Sequence, residues 1–176
     1  DGAANFAADV TFADGADIIT ASAGTSNVRI GVNAGNSIQS GGNFNVAVGD
    51  EAGTALTTAD KSTAVGYGAL AAATTAGNNT AGGANALGAT TGQANTGVGE
   101  GALESNVAGT FNVAIGANSL DADTTGSKSV AVGYASLSTQ NFTTATDAHN
   151  VAMGYESGLS ITTGIFNTIT GGQAGD

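Results

Sequence analysis

Few residues in this chain could do chemistry. Asp121-Ala122-Asp123 and Asp14-Gly15-Ala16-Asp17 each set two carboxylates close together, which could begin a calcium site. The nine-residue Gly-Gly-x-Gly-x-Asp pattern of calcium-binding β-rolls is absent, and carboxylates form no recurring column, so these acids read as solvated loop charge. His149 is the only His and there is no Cys, which leaves no zinc donor set and no base for a nucleophile. Ala81-Gly82-Gly83 is not followed by Gly-Lys-Ser/Thr, so it does not make a phosphate loop. Glycoside cleavage needs two carboxylates facing across a cleft, and nothing in the pattern supplies one. The chain reads as a non-enzyme without cofactor or metal.

The side chains that remain suit contact rather than reaction. Tyr67, Tyr134 and Tyr155, and Phe44, Phe111 and Phe166, fall at fixed places in a repeat described below. They are expected to cover strand ends or a seam between chains, with glycan contact as the alternative. Thr-Thr pairs such as Thr57-Thr58, Thr74-Thr75 and Thr124-Thr125 raise ice binding as another alternative. A flat ice-binding face needs Thr-x-Thr, however, and of two adjacent Thr one turns away.

Composition narrows the scaffold. The 176 residues include 29 Gly, no Pro, no Trp and 10% charged residues, at a mean hydropathy of +0.10. Small side chains cannot fill a thick core, but they suit a thin structure in which backbones approach closely. The net charge of -11 argues against nucleic acid and against adsorption to an anionic membrane. No apolar run approaches the ~20 residues of a membrane-spanning helix. The chain starts at Asp1 without a Met and stops after a partial repeat, so it reads as a piece of a longer polypeptide.

The phrase Ser129–Leu137, SVAVGYASL, returns as NVAIGANSL, NTGVGEGAL and STAVGYGAL. Aligned on its glycine, it has nine anchors: Gly31, Gly49, Gly66, Gly83, Gly99, Gly116, Gly133, Gly154 and Gly171. Their spacings are 18, 17, 17, 16, 17, 17, 21 and 17. Four residues before the anchor stands Asn or Ser, as in Asn45 and Asn112, expected as a hydrogen-bonded ladder. Then come Val/Thr, mostly Ala, and mostly Val/Ile, a period-two β-branched run that predicts a short strand ended by Gly. Four after the anchor is Leu in five successive copies, including Leu70, Leu103 and Leu137. The Thr-Thr pairs predict a second short strand on the other side of each coil.

A period near 17 is too short for helical-pair repeats or propeller blades. It predicts an all-β parallel β-solenoid or β-roll of about nine coils, a rod roughly 40 Å long at ~4.8 Å per coil. Residues 1–25 form a lead-in with one degenerate, capping coil at Gly15, and 26–176 form the repeat domain. If the Ala column fills the interior, the Val/Ile column faces out. If Val/Ile is inside, the Leu column is the stripe to explain. Either way an apolar stripe remains, and several rods should pack side by side, as a homotrimer.

NVAVG, NVAIG and SVAVG resemble the head repeat of trimeric autotransporter adhesins, a parallel β-roll of three chains, although that repeat is shorter. The longer phrases STAVGYGAL and TTAGNNTAGGANAL, with the lead-in VTFADGADIITASAGTSNVRIGVNAG, resemble repeat regions of marine bacteriophage tail fibres. The resemblance covers essentially the whole chain and implies a virion fibre segment that attaches to a host-surface receptor or glycan, or alternatively an adhesin head on a bacterial surface. It carries structural columns only and no catalytic residue. One interval breaks the rhythm, the 21 residues from Gly133 to Gly154. Its surplus lies in STQNFTTATDAHN, expected as an outward loop whose Phe142, Asp147 and His149 are candidate receptor contacts.

Overall fold

The computed structural model describes residues 23–175. It is an all-β parallel solenoid, with no helix among these residues. Each copy of the phrase gives a three-residue strand: β1 (Val28–Ile30), β2 (Val46–Val48), β3 (Thr63–Val65), β4 (Thr80–Gly82), β5 (Thr96–Val98) and β6 (Val113–Ile115). β8 (Val130–Val132), β10 (Val151–Met153) and β11 (Thr168–Thr170) complete one nine-stranded parallel sheet, wound through eight turns. β7 (Gly126–Ser127) and β9 (Thr146–Asp147) form a separate two-stranded pair. Like positions pair throughout, as in Ala114↔Ala131 and Ile115↔Val132. The 21-residue interval leaves the register intact, with Val130 against Val151.

The two ways of facing the strand are now decided. The central residues Ala47, Ala64, Ala81, Ala114, Ala131 and Ala152 are fully buried, so the Ala column lines the interior and Val/Ile faces out. The Leu column is inside as well: Leu70, Leu87, Leu103, Leu120 and Leu137 are all at 0% exposure. It therefore cannot form a seam between chains. In the Leu coils the interior admits nothing wider than Ala on the strand because Leu enters from the opposite wall; where glycine takes the Leu place, at Gly35 and Gly175, the strand centre carries the larger Arg29 and Ile169. Where Gly97 replaces Ala, an added Cβ would lie 3.2 Å from Leu87 Cγ.

The backbone explains why glycine anchors every strand. The anchor glycines have φ between 124° and 140°. They also stack on one another: a Cβ on Gly99 would sit 2.5 Å from the carbonyl carbon of Gly116. Each coil turns further corners through left-handed residues, at Phe44, Lys61 and Phe111 before the strand and at Leu70, Leu87 and Leu103 after it. A left-handed Leu costs about 1–2 kcal/mol, a cost offset by placing a whole side chain in the interior.

That Leu position shows an exchange of volume. In four copies glycine stands there instead, at Gly35, Gly53, Gly158 and Gly175, and in the first three the aliphatic side chain comes three residues later, as Ile38, Leu56 and Ile161. A Cβ on Gly53 would be 2.6 Å from Leu56 Cδ1, so the two side chains compete for one space. In the Leu coils the later position is small or polar: Ala73, Thr90, Asn106, Asp123 and Gln140, all at 0% exposure.

The Thr-Thr expectation needs correction. Thr57-Thr58, Thr124-Thr125 and the other pairs of the series do not form a strand in each coil. They lie in bends or unpaired turns whose groups reach the next coil, as when both the amide and the hydroxyl of Thr57 donate to the Thr74 carbonyl at 2.9 Å. Turn hydrogen bonds satisfy this wall without ladder geometry. The degenerate coil at Gly15, its capping role and the Asp14/Asp17 pair lie outside the described residues.

Candidate interaction surface

The head asparagines are interior scaffold. Asn45, Asn79, Asn95, Asn112 and Asn150 are buried, and each works in two directions. Asn112 Oδ1 accepts from the Ser129 amide at 2.9 Å, one coil on, while its Nδ2 donates to the Gly126 carbonyl at 2.8 Å. Asn45 does the same with Ser62 and Ala59, and Asn95 with Asn112 and Gly109. Each side chain thus ties its own turn to the neighbouring strand entry, with both its oxygen and its nitrogen matched.

The acidic pair Asp121/Asp123 is split by the wall of the solenoid. Asp123 is fully buried, which corrects its reading as solvated loop charge. It accepts from the Gly126 amide at 2.9 Å, the Phe142 amide at 3.2 Å and Gln140 Nε2 at 2.5 Å. Asp121 lies partly exposed on the outer side, its pKa raised by desolvation and, to a lesser degree, by nearby Glu104. The two carboxylates share no site, and among the described residues no group of three or more His, Asp or Glu could hold a metal.

The three loop candidates have separate fates. Phe142 is buried at 5% exposure, which removes it from any contact surface. Its carbonyl accepts from the hydroxyls of Thr124 and Thr125, at 2.8 and 2.6 Å. Asn141 before it and Thr143, Thr144 and Ala145 after it are exposed. Asp147 is exposed and holds Lys128 Nζ at 2.6 Å, which lowers its pKa. His149 is exposed beyond the loop, at the strand entry, stacked on Phe166 with ring centroids 5.3 Å apart. The surplus residues are thus partly absorbed by β9, which pairs with β7.

The surface that gathers most exposed apolar side chains is the outer face of the nine-stranded sheet. Val28, Ile30, Val65, Val98, Ile115 and Met153 point outward from the strands, each 37–55% exposed. Two margins extend this face. Five residues before the anchor stand Phe44, Phe111, His149 and Phe166; one after it stand Val32, Tyr67, Tyr134 and Tyr155, all exposed. Tyr134 stacks on Tyr155 at 5.4 Å, and a hydrogen bond to Glu156 raises the Tyr155 pKa. Strand alternation fixes this arrangement: with Ala committed to the interior, its neighbours must face out. The strip is interrupted in the coil of β4, where Thr80 and Gly82 face out, but monomeric proteins rarely expose apolar side chains in so long a row.

Beside the Tyr margin runs a shallow groove of about 460 Å3, lined by Glu51, Tyr67, Asn85 and Glu104 around Gly68 and Ala71. It offers carboxylate and amide groups next to one aromatic face. Asn33 and Thr54 already hydrogen-bond the Glu51 carboxylate, at 2.7 and 3.0 Å. No protein-family model, curated protein or solved structure matches the chain.

Proposed function

We propose that this chain is a non-enzymatic, structural and adhesive segment of a bacteriophage tail fibre, built from three copies packed side by side along their apolar sheet faces. The observation that carries the reading is the exposed strip from Val28 to Phe166, which runs the length of a rigid rod. A rod with one apolar face gains by burying it against like rods, roughly 25 cal/mol for each Å2 removed from water. The remaining walls, with the Tyr67 groove and the Thr143–Ala145 projection, then face outward three times at each level. Weak contacts repeated in this way convert to avidity at a cell surface. An adhesin head on a bacterial surface uses the same physics and is the alternative. Antibodies raised against the purified chain distinguish the two in electron microscopy of the source material. Labelled virion tail fibres support the first reading and labelled cell envelopes the second. Label on neither overturns both.

A further inference from the structure

The two margins of the sheet face vary together. Tyr stands one residue after the anchor in three coils, at Tyr67, Tyr134 and Tyr155. The same three coils carry the cationic or imidazole side chains of the other margin: Lys61, Lys128 and His149. Two of the three Phe at that margin, Phe111 and Phe166, share their coils with the small Ala117 and Gly172, whereas Phe44 shares its coil with Asp50. Within one chain the paired positions sit at opposite ends of a strand, six residues and up to about 20 Å apart. They do not meet there, so a partner must bring them together.

From this we infer that neighbouring copies pack parallel and in register, the Lys/His/Phe margin of one against the Tyr margin of the next at the same coil. The inference rests on the proposed assembly of like rods and specifies its geometry. In that arrangement Lys61 meets Tyr67 and His149 meets Tyr155, a cation or imidazole over a phenol face. Lys128 arrives with Asp147 beside it. Phe111 and Phe166 fall opposite Ala117 and Gly172, large against small. A face-to-face antiparallel pairing would instead set coil three against coil seven at the same margin. It would bring Lys61 onto Lys128 and set Phe111 against Asn78 and Phe44 against His149, leaving Phe166, opposite Ser26, as the one Phe with a small partner.

Because the chain has no Cys, engineered pairs report directly. The full chain is made with Lys61→Cys and Tyr67→Cys, and separately with Ala94→Cys and Glu100→Cys, an in-register pair that leaves every Lys–Tyr match intact. A third variant, Lys61→Cys with Lys128→Cys, reports antiparallel packing. Each is oxidised, or treated with a short bis-maleimide, and run on a denaturing gel, with the mass before oxidation measured by light scattering. Covalently linked chains in either of the first two variants, and none in the third, are expected. Links in the third, or an oligomer with links in none, overturns the register while leaving side-by-side assembly standing. A monomer in all three overturns both.

Discussion

Leu103 and Asn106 test the volume exchange inside the solenoid. Both are fully buried, and Asn106 Nδ2 has no hydrogen-bond partner among the described residues. Leu103→Gly removes a side chain whose truncation to Ala costs about 2–5 kcal/mol in a packed core, and returns about 1 kcal/mol by relieving the left-handed φ of 55°. The net loss is about 1–4 kcal/mol. Asn106→Leu alone crowds Leu103, at about 1–3 kcal/mol, offset in part by removing an unpartnered amide worth about 1–3 kcal/mol. Together the two changes rebuild the Gly53/Leu56 arrangement, in which Leu56 is fully buried. Thr90 loses its 3.2 Å bond to Asn106 Oδ1 but keeps its contacts with Gly92. The double variant should fall within about 1 kcal/mol of wild type, a coupling of about 1–3 kcal/mol between adjacent sites. Urea unfolding followed by circular dichroism, at one fixed protein concentration, measures all four corners of the cycle. Additive losses, or a double variant no more stable than Leu103→Gly, refute the exchange.

Asn112→Ala should cost about 2–4 kcal/mol, because the Ser129 amide and Gly126 carbonyl lose buried partners; the same change at partly exposed Asn167 should cost under about 1 kcal/mol, both read as unfolding midpoints. Gly99→Ala places a methyl 2.5 Å from the Gly116 backbone at φ 135° and should prevent a stable stack, seen as loss of the cooperative thermal transition. Asp121 has a raised pKa in the folded chain, so the fold binds its proton more tightly than the unfolded chain does, and its contribution to stability falls as pH rises through the carboxylate range. Asp121→Asn should therefore raise the melting temperature at pH 7, and the gain should shrink toward pH 3. Deleting Thr143–Ala145 should preserve the fold, whereas removing Phe142 as well should destabilise it, since Asp123, Thr124 and Thr125 would lose their partner; differential scanning fluorimetry separates the two.

Much of the architecture is legible in the sequence because a solenoid repeats its physics every coil. The Gly31-to-Gly171 spacing gives the period, and the β-branched run before each anchor gives the strand. Which side of that strand faces in could not be read from the alternation alone. It depends on the Leu position across the coil, and a left-handed backbone is what lets Leu103 reach inward. The Thr-Thr pairs misled because two adjacent β-branched residues look like a strand whether or not the wall supplies ladder partners. Asp123 looked solvated because its neighbours in sequence are polar; two of its three donors, Gln140 and Phe142, come from the following coil. The exchange of Gly53 and Leu56 for Leu103 and Asn106 stands out as covariation between columns only once the interior positions are known, as does the co-occurrence of Lys61 with Tyr67 in one coil. Phe142 was beyond reach, since nothing in the surplus segment marks which residue turns inward.

The proposed fibre segment requires that further copies of this chain cover the apolar sheet face. The mass of the purified chain in solution, from size-exclusion chromatography with light scattering, tests it most directly. A single species at three times the 16.7 kDa of one chain, unchanged on dilution, is expected. A folded, stable 16.7 kDa monomer with Ile30, Val65 and Tyr155 open to water would contradict it.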